Sequence, residues 1–88
     1  MIIHYHSNFK KSFKKRVEFN NNLVNKYKER IKLFEIDKSN TLLKDHALTG
    51  LKKGQRAFWV TGDIRVIYIP FSSQEVTFVD IGSHNQVY

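Results

Sequence analysis

Gln55-Arg-Ala-Phe-Trp-Val60 and Ile64-Arg-Val-Ile-Tyr-Ile-Pro70, with Gly62-Asp63 between them, are the stretch that decides the fold. Both runs are dense in Val, Ile, Phe, Trp and Tyr, the residues that fit a pleated, half-buried surface, and Gly-Asp between two such runs signals a β-hairpin. Downstream, a second turn at Ser72-Ser73-Gln74 leads to a third strand, Glu75–Ile81, before Gly82-Ser83-His84 opens the tail. Three consecutive strands with short turns read as an antiparallel meander. Upstream, residues 38–54 form a long connection marked by Gly50 and Gly54, a length that in a small domain is often functional.

Before that connection the hydrophobic period changes from two to 3.6. Leu23, Tyr27, Ile31 and Phe34 recur at helical spacing, with Val24 widening the stripe and Asp37-Lys-Ser-Asn ending it. Phe9, Phe13 and Val17 fall within an arc of about 80° on a preceding helix. Ser7 or Asn8 is the expected N-cap of the first helix, and Asn20, Asn21 or Asn22 that of the second. Residues 2–6 read as a short opening strand. The expected fold is therefore α+β, in the order β-α-α-β-β-β, with an antiparallel sheet and an α-hairpin packed on one face. The other face is expected to be open to water or a partner. Which face carries Arg65, Ile67 and Ile69 cannot be told from periodicity, because both faces are largely apolar.

Eighty-eight residues make one domain, residues 1–88, with no room for a second core. There is no cysteine, which excludes disulfides and thiolate metal sites and is compatible with the cytoplasm. No apolar run is long enough to span a membrane, and no secretory signal is expected at the amino terminus. Net charge is +7, which favours a polyanionic partner. That charge is unevenly placed. Residues 10–32 hold nine Lys/Arg against two Glu, whereas residues 45–88 hold four of each sign.

Any chemistry falls to His, Asp, Arg, Lys or Tyr. His4 and His6 alternate on one strand face, but no third ligand is near in sequence, so no metal site is expected. No phosphate loop, His-x-x-x-His helix or Gly-x-Ser-x-Gly elbow occurs. His46, on the long loop, and His84, after the last strand, can each reach a site built on the sheet, or can be plain solvated histidines. Arg65 is a guanidinium in an otherwise apolar strand. It either pairs with Asp63 or Asp80 or points from the open face toward an anion. Lys52, Lys53 and Arg56 form a smaller basic cluster, and Tyr88 is an aromatic free enough to stack on a base.

Three segments, Lys44-Asp-His-Ala-Leu-Thr-Gly50, Val60-Thr-Gly-Asp-Ile-Arg-Val-Ile-Tyr68 and Ile81-Gly-Ser-His84, resemble the RelE superfamily of type II toxin–antitoxin toxins, in its YoeB- and YafQ-like branches. The motifs cover about half the chain, and the element order and length match throughout. The resemblance implies a metal-independent endoribonuclease with no cofactor, cleaving mRNA in the ribosomal A site. It implies His46 as base, Arg65 as the cation on the scissile phosphate and His84 as acid, with Tyr88 packing on a base. Lys52, Lys53 and Arg56 are further RNA contacts on this reading. Lys10, Lys11, Lys14 and Lys15 form a docking face for ribosomal RNA and for a small acidic or partly disordered antitoxin, the free toxin being monomeric. Two departures stand out: Trp59 replaces a second histidine of YafQ-like toxins, and Arg65 follows the YoeB pattern where YafQ-like toxins have an apolar residue. Asp63 matches acidic residues of both branches but also shapes a Gly-Asp turn. The rival implied by the same fold is a ParE-like gyrase poison, which has no need of His46, Arg65 and His84. A second rival is a decayed toxin serving as a binding or co-repressor module.

Overall fold

The computed structural model describes residues 1–88. Strand β1 (Ile2–Tyr5) leads into helices α1 (Ser7–Arg16) and α2 (Asn21–Ile36). A two-residue strand, β2 (His46–Ala47), and a 3₁₀ turn at Gly50–Lys52 lie in the long connection. Strands β3 (Arg56–Trp59), β4 (Ile64–Ser72) and β5 (Glu75–Ser83) follow, and helix α3 (His84–Val87) closes the chain. The sheet order is β1-β5-β4-β3-β2. No helix is long and apolar enough to cross a membrane.

The α+β class, the helix pair and the β3-β4-β5 meander agree with the expectation. The all-antiparallel sheet does not: β1 lies parallel to β5, pairing Ile3 with Val76 and Tyr5 with Phe78. Side-chain alternation is the same in either direction, so a four-residue edge strand carries no signal of its polarity. The α1 cap also differs. His6 is the N-cap, its Nδ1 accepting the Asn8 N–H at 3.0 Å. Asn20 caps α2 by accepting the Leu23 N–H at 3.1 Å.

One core joins the helices to the sheet. Phe9 from α1, Val17 at its C-cap and Phe34 from α2 pack on Phe58, Val66, Tyr68, Val76, Phe78 and Ile81. Phe34 sits at its centre, stacked on Phe58 at 4.6 Å and edge-on to Tyr68 at 5.0 Å. Strand alternation sends Ala57, Trp59, Arg65 and Ile67 to the opposite face. That face is not fully open. Val87 of α3 buries Ala57 and Ile67, with Leu48 and Val79 at the margin, so a small satellite cluster plugs its middle. Four residues after a glycine gave no helical period to read, which is why this plug is invisible in the sequence.

A candidate active site around Tyr88

The site begins with alternation at β2. His46 pairs with Ala57, which places it on the helix-free face, and its neighbour Asp45 therefore points to the other. There the Asp45 carboxylate, with its side chain 7% exposed, accepts from Arg56 Nε at 2.7 Å and from the Tyr68 hydroxyl. Burial, then the bond to Asp45, pushes the Tyr68 phenol far up. The same carboxylate raises Arg56, which stays charged. The trio fastens the segment from behind, one residue before His46.

His46 is held in a defined tautomer. Its Nδ1 lies 2.8 Å from the Lys44 carbonyl, and a carbonyl can only accept, so Nδ1 carries the hydrogen. In the neutral ring Nε2 is then the free lone pair, and it faces the Tyr88 hydroxyl at 3.5 Å. Lys44 adopts φ 47°, the left-handed region, and is the only residue other than glycine with a positive φ. An open cleft of about 620 Å³ runs beside His46 and Tyr88 and is lined by Leu48, Leu51, Lys52 and Gln55.

Tyr88 brings the two histidines together. His84 lies edge-on to its ring at 4.5 Å between centroids, and His46 lies at 6.4 Å. The turn of helix between His84 and Tyr88 places both on one side, while buried Val87 pins α3 to the sheet. Ser83 N–H donates to Gln86 Oε1 at 2.7 Å, half of a capping box that fixes where α3 starts. A Cβ on Gly82 would come 2.7 Å from both Arg16 Nη1 and Gln86 Oε1, so any side chain there displaces the ends of those two side chains. Burial raises the Tyr88 phenol, while the nearby Arg65 guanidinium pulls it down.

Arg65 takes neither carboxylate partner that its sequence offered. It donates to the Gly62 carbonyl at 3.0 Å and lies 4.5 Å from the Trp59 ring centroid. Asp80 is engaged instead by Arg16 at 3.3 Å, and Asp63 stands exposed in a turn organised by the Thr61 hydroxyl. Arg65 is thus a half-buried cation with no counter-ion, on the face of His46, His84 and Tyr88.

The structure therefore gathers His46, Arg65, His84 and Tyr88. Lys52 lines the same cleft and Lys53 is exposed nearby. Arg56 lies apart, committed to Asp45 on the opposite face, and this corrects its placement beside Lys52 and Lys53. The reason is that Arg56 occupies the same strand parity as Phe58. Lys10, Lys11, Lys14 and Lys15 are all exposed on α1, away from this cluster. His4 of β1 pairs with Glu75 at 2.7 Å and His6, just after the strand, caps α1; no three His, Asp or Glu converge as a metal site requires. Lys44, whose carbonyl orients His46, precedes β2 and has a positive φ, so strand alternation in the sequence gives no signal of that contact.

YafQ from E. coli strain BL21(DE3) has a similar structure, with a TM-score of 0.81 and 25% identity over 98% of this chain and 96% of that chain. A chain of the E. coli DinJ–YafQ complex is 26% identical with a TM-score of 0.78, again over 98% and 96%. A YoeB/ParE toxin from Agrobacterium tumefaciens, 18% identical with a TM-score of 0.77 over 96% and 99%, shares the fold. Among curated proteins none matches significantly by sequence. A family model described as a bacterial toxin of type II toxin–antitoxin systems, YafQ, matches residues 1–88. With that match running the full length of a chain folded as those toxins fold, this protein belongs to the YafQ family of type II toxin–antitoxin toxins.

Proposed function

We propose that this toxin is an endoribonuclease that cleaves mRNA in the ribosomal A site, using side chains alone for catalysis. The observation that carries the reading is the orientation of His46. A carbonyl holds its Nδ1–H and leaves Nε2 free on the face that also bears His84 and an unpaired Arg65. Such a set meets the three needs of transesterification. His46 Nε2 accepts the ribose 2′-OH proton as the 2′-oxygen attacks phosphorus, and Arg65 stabilises the added negative charge with two of its fork of donors. His84, protonated, gives its proton to the 5′-oxygen as the P–O5′ bond breaks. The products are a 2′,3′-cyclic phosphate and a 5′-hydroxyl. Tyr88, between the two imidazoles, offers its ring to a base.

The exposed lysines of α1 suit sequence-independent contact with ribosomal RNA, and the same basic surface suits an acidic or partly disordered antitoxin. An antitoxin partner is supported by the DinJ–YafQ toxin–antitoxin complex of the similar E. coli protein. The site of action is then the cytoplasm, where ribosomes translate.

Induced expression followed by mapping of mRNA 5′ ends tests the proposal. Cleavage within codons should appear with the wild-type chain and vanish with His46→Gln, Arg65→Ala or His84→Gln. Intact transcripts accompanied by gyrase-dependent DNA breaks would replace this reading with the gyrase-poison alternative.

A further inference from the structure

Trp59 collects two cations. The Arg65 guanidinium carbon lies 4.5 Å from its ring centroid and Lys44 Nζ lies 5.2 Å from it. Cross-strand pairing sets Trp59 opposite Arg65. The Trp59 backbone N–H donates to the Leu43 carbonyl at 2.7 Å, which draws Lys44 alongside. Neither cation takes part in any of the four ion pairs of the molecule. Two like charges on one ring repel each other, and the ring quadrupole offsets only part of that repulsion. An anion within reach of both side chains relieves it. Lys44 also adopts the left-handed backbone that aims its carbonyl at His46 Nδ1. One residue thereby sets the tautomer of His46 and brings a second positive charge to the same face.

We propose that Lys44 is a second phosphate-binding residue of the site, with Trp59 as the shelf on which Lys44 and Arg65 both rest. The proposal deepens the ribonuclease reading and rests on it. A phosphodiester has two non-bridging oxygens that gain charge together during attack, and two cations match them better than one. An indole neither gains nor loses a charge-bearing proton near neutral pH, so Trp59 contributes by positioning cations and not by acid–base chemistry.

The test follows binding of a fluorescent 2′-O-methyl octanucleotide, which cannot be cleaved, across a salt series, beside mRNA cleavage in a translating extract. Lys44→Asn removes the charge while keeping a residue that tolerates positive φ. It should weaken binding about tenfold at low salt. It should also flatten the slope of log K against log salt by about 0.7, the value of one lost phosphate contact on a single strand. Lys44→Arg should restore both, and Trp59→Leu should fall between. An unchanged slope in Lys44→Asn, or no salt-dependent binding by the wild-type chain, overturns the proposal. A wild-type chain that cleaves no RNA yet shows the slope difference removes the ribonuclease reading and leaves the paired-cation anion site standing.

Discussion

Asp45→Ala is the perturbation whose outcome the structure specifies most fully. The carboxylate serves two donors, Arg56 Nε at 2.7 Å and the hydroxyl of Tyr68. The Arg56 side chain is 38% exposed, so water takes over most of its lost partner and this part amounts to under about 1 kcal/mol. The Tyr68 residue is 1% exposed, and a buried hydroxyl without an acceptor costs about 1–3 kcal/mol. A cleft bounded by Lys38, Ser39, Arg56 and Pro70 reaches the pair and admits water, which favours the lower part of that range. The expected loss is about 2 kcal/mol, equivalent to roughly 8–16 °C in Tm for a domain of this size. Thermal and urea unfolding followed by circular dichroism measure it. The sharper outcome lies in the double variant. Tyr68→Phe removes the hydroxyl that Asp45→Ala orphans, so Asp45→Ala/Tyr68→Phe should lose less stability than the two single variants together, by at least about 0.5 kcal/mol. Simple additivity would refute the reasoning, because it would mean that the carboxylate and the phenol are not energetically joined.

Four further outcomes follow from other parts of the molecule. Tyr27 and Tyr68 both titrate far above the ordinary phenol value of 10.0, chiefly through burial. From about pH 10 the unfolded chain releases phenolic protons that the folded chain keeps, so stability is full below that pH and falls above it. Each tyrosine contributes about 1.4 kcal/mol per pH unit, and denaturant titrations in that range should show a shallower decline for Tyr68→Phe. Phe34→Ala, at the centre of the core with no exposed surface, should lose about 3–5 kcal/mol in chemical denaturation. Gly82→Ala forces Arg16 or Gln86 from its hydrogen bonds. It should lose about 1–2 kcal/mol and shift the His84 imidazole resonances in NMR spectra. Replacing Lys10, Lys11, Lys14 and Lys15 with Gln should change stability by under about 0.5 kcal/mol. Ribosome co-sedimentation of that variant should become weaker and less salt-dependent, while the histidine site is left intact.

Much of this fold is legible in the sequence. Phe9 and Val17, the Leu23–Phe34 stripe and the β-rich runs around Gly62-Asp63 carry periods set by local geometry, so the helices and the meander follow from spacing alone. His46, Arg65 and His84 were legible as candidates because two histidines flanked the sheet strands and a guanidinium interrupted an apolar one. Pairwise choices among distant groups were not. Asp80 chose Arg16 over Arg65, and Arg56 chose Asp45 over the surface, through contacts 64 and 11 residues apart in the chain.

The sequence by itself determined the α+β order, the family likeness and the split between a basic helical half and a neutral half that holds the candidate chemistry. Periodicity and composition are local quantities, and these properties need nothing more. Only the tertiary structure decided that β1 runs parallel to β5, that Val87 plugs the helix-free face and that Tyr88 stands between His46 and His84. Each depends on which backbone edge or side chain meets which across the folded chain. The charge tells the same story at finer grain. A neutral total over residues 45–88 hid the pairing of two cations on Trp59, because a sum of charges carries no information about which ones fold together.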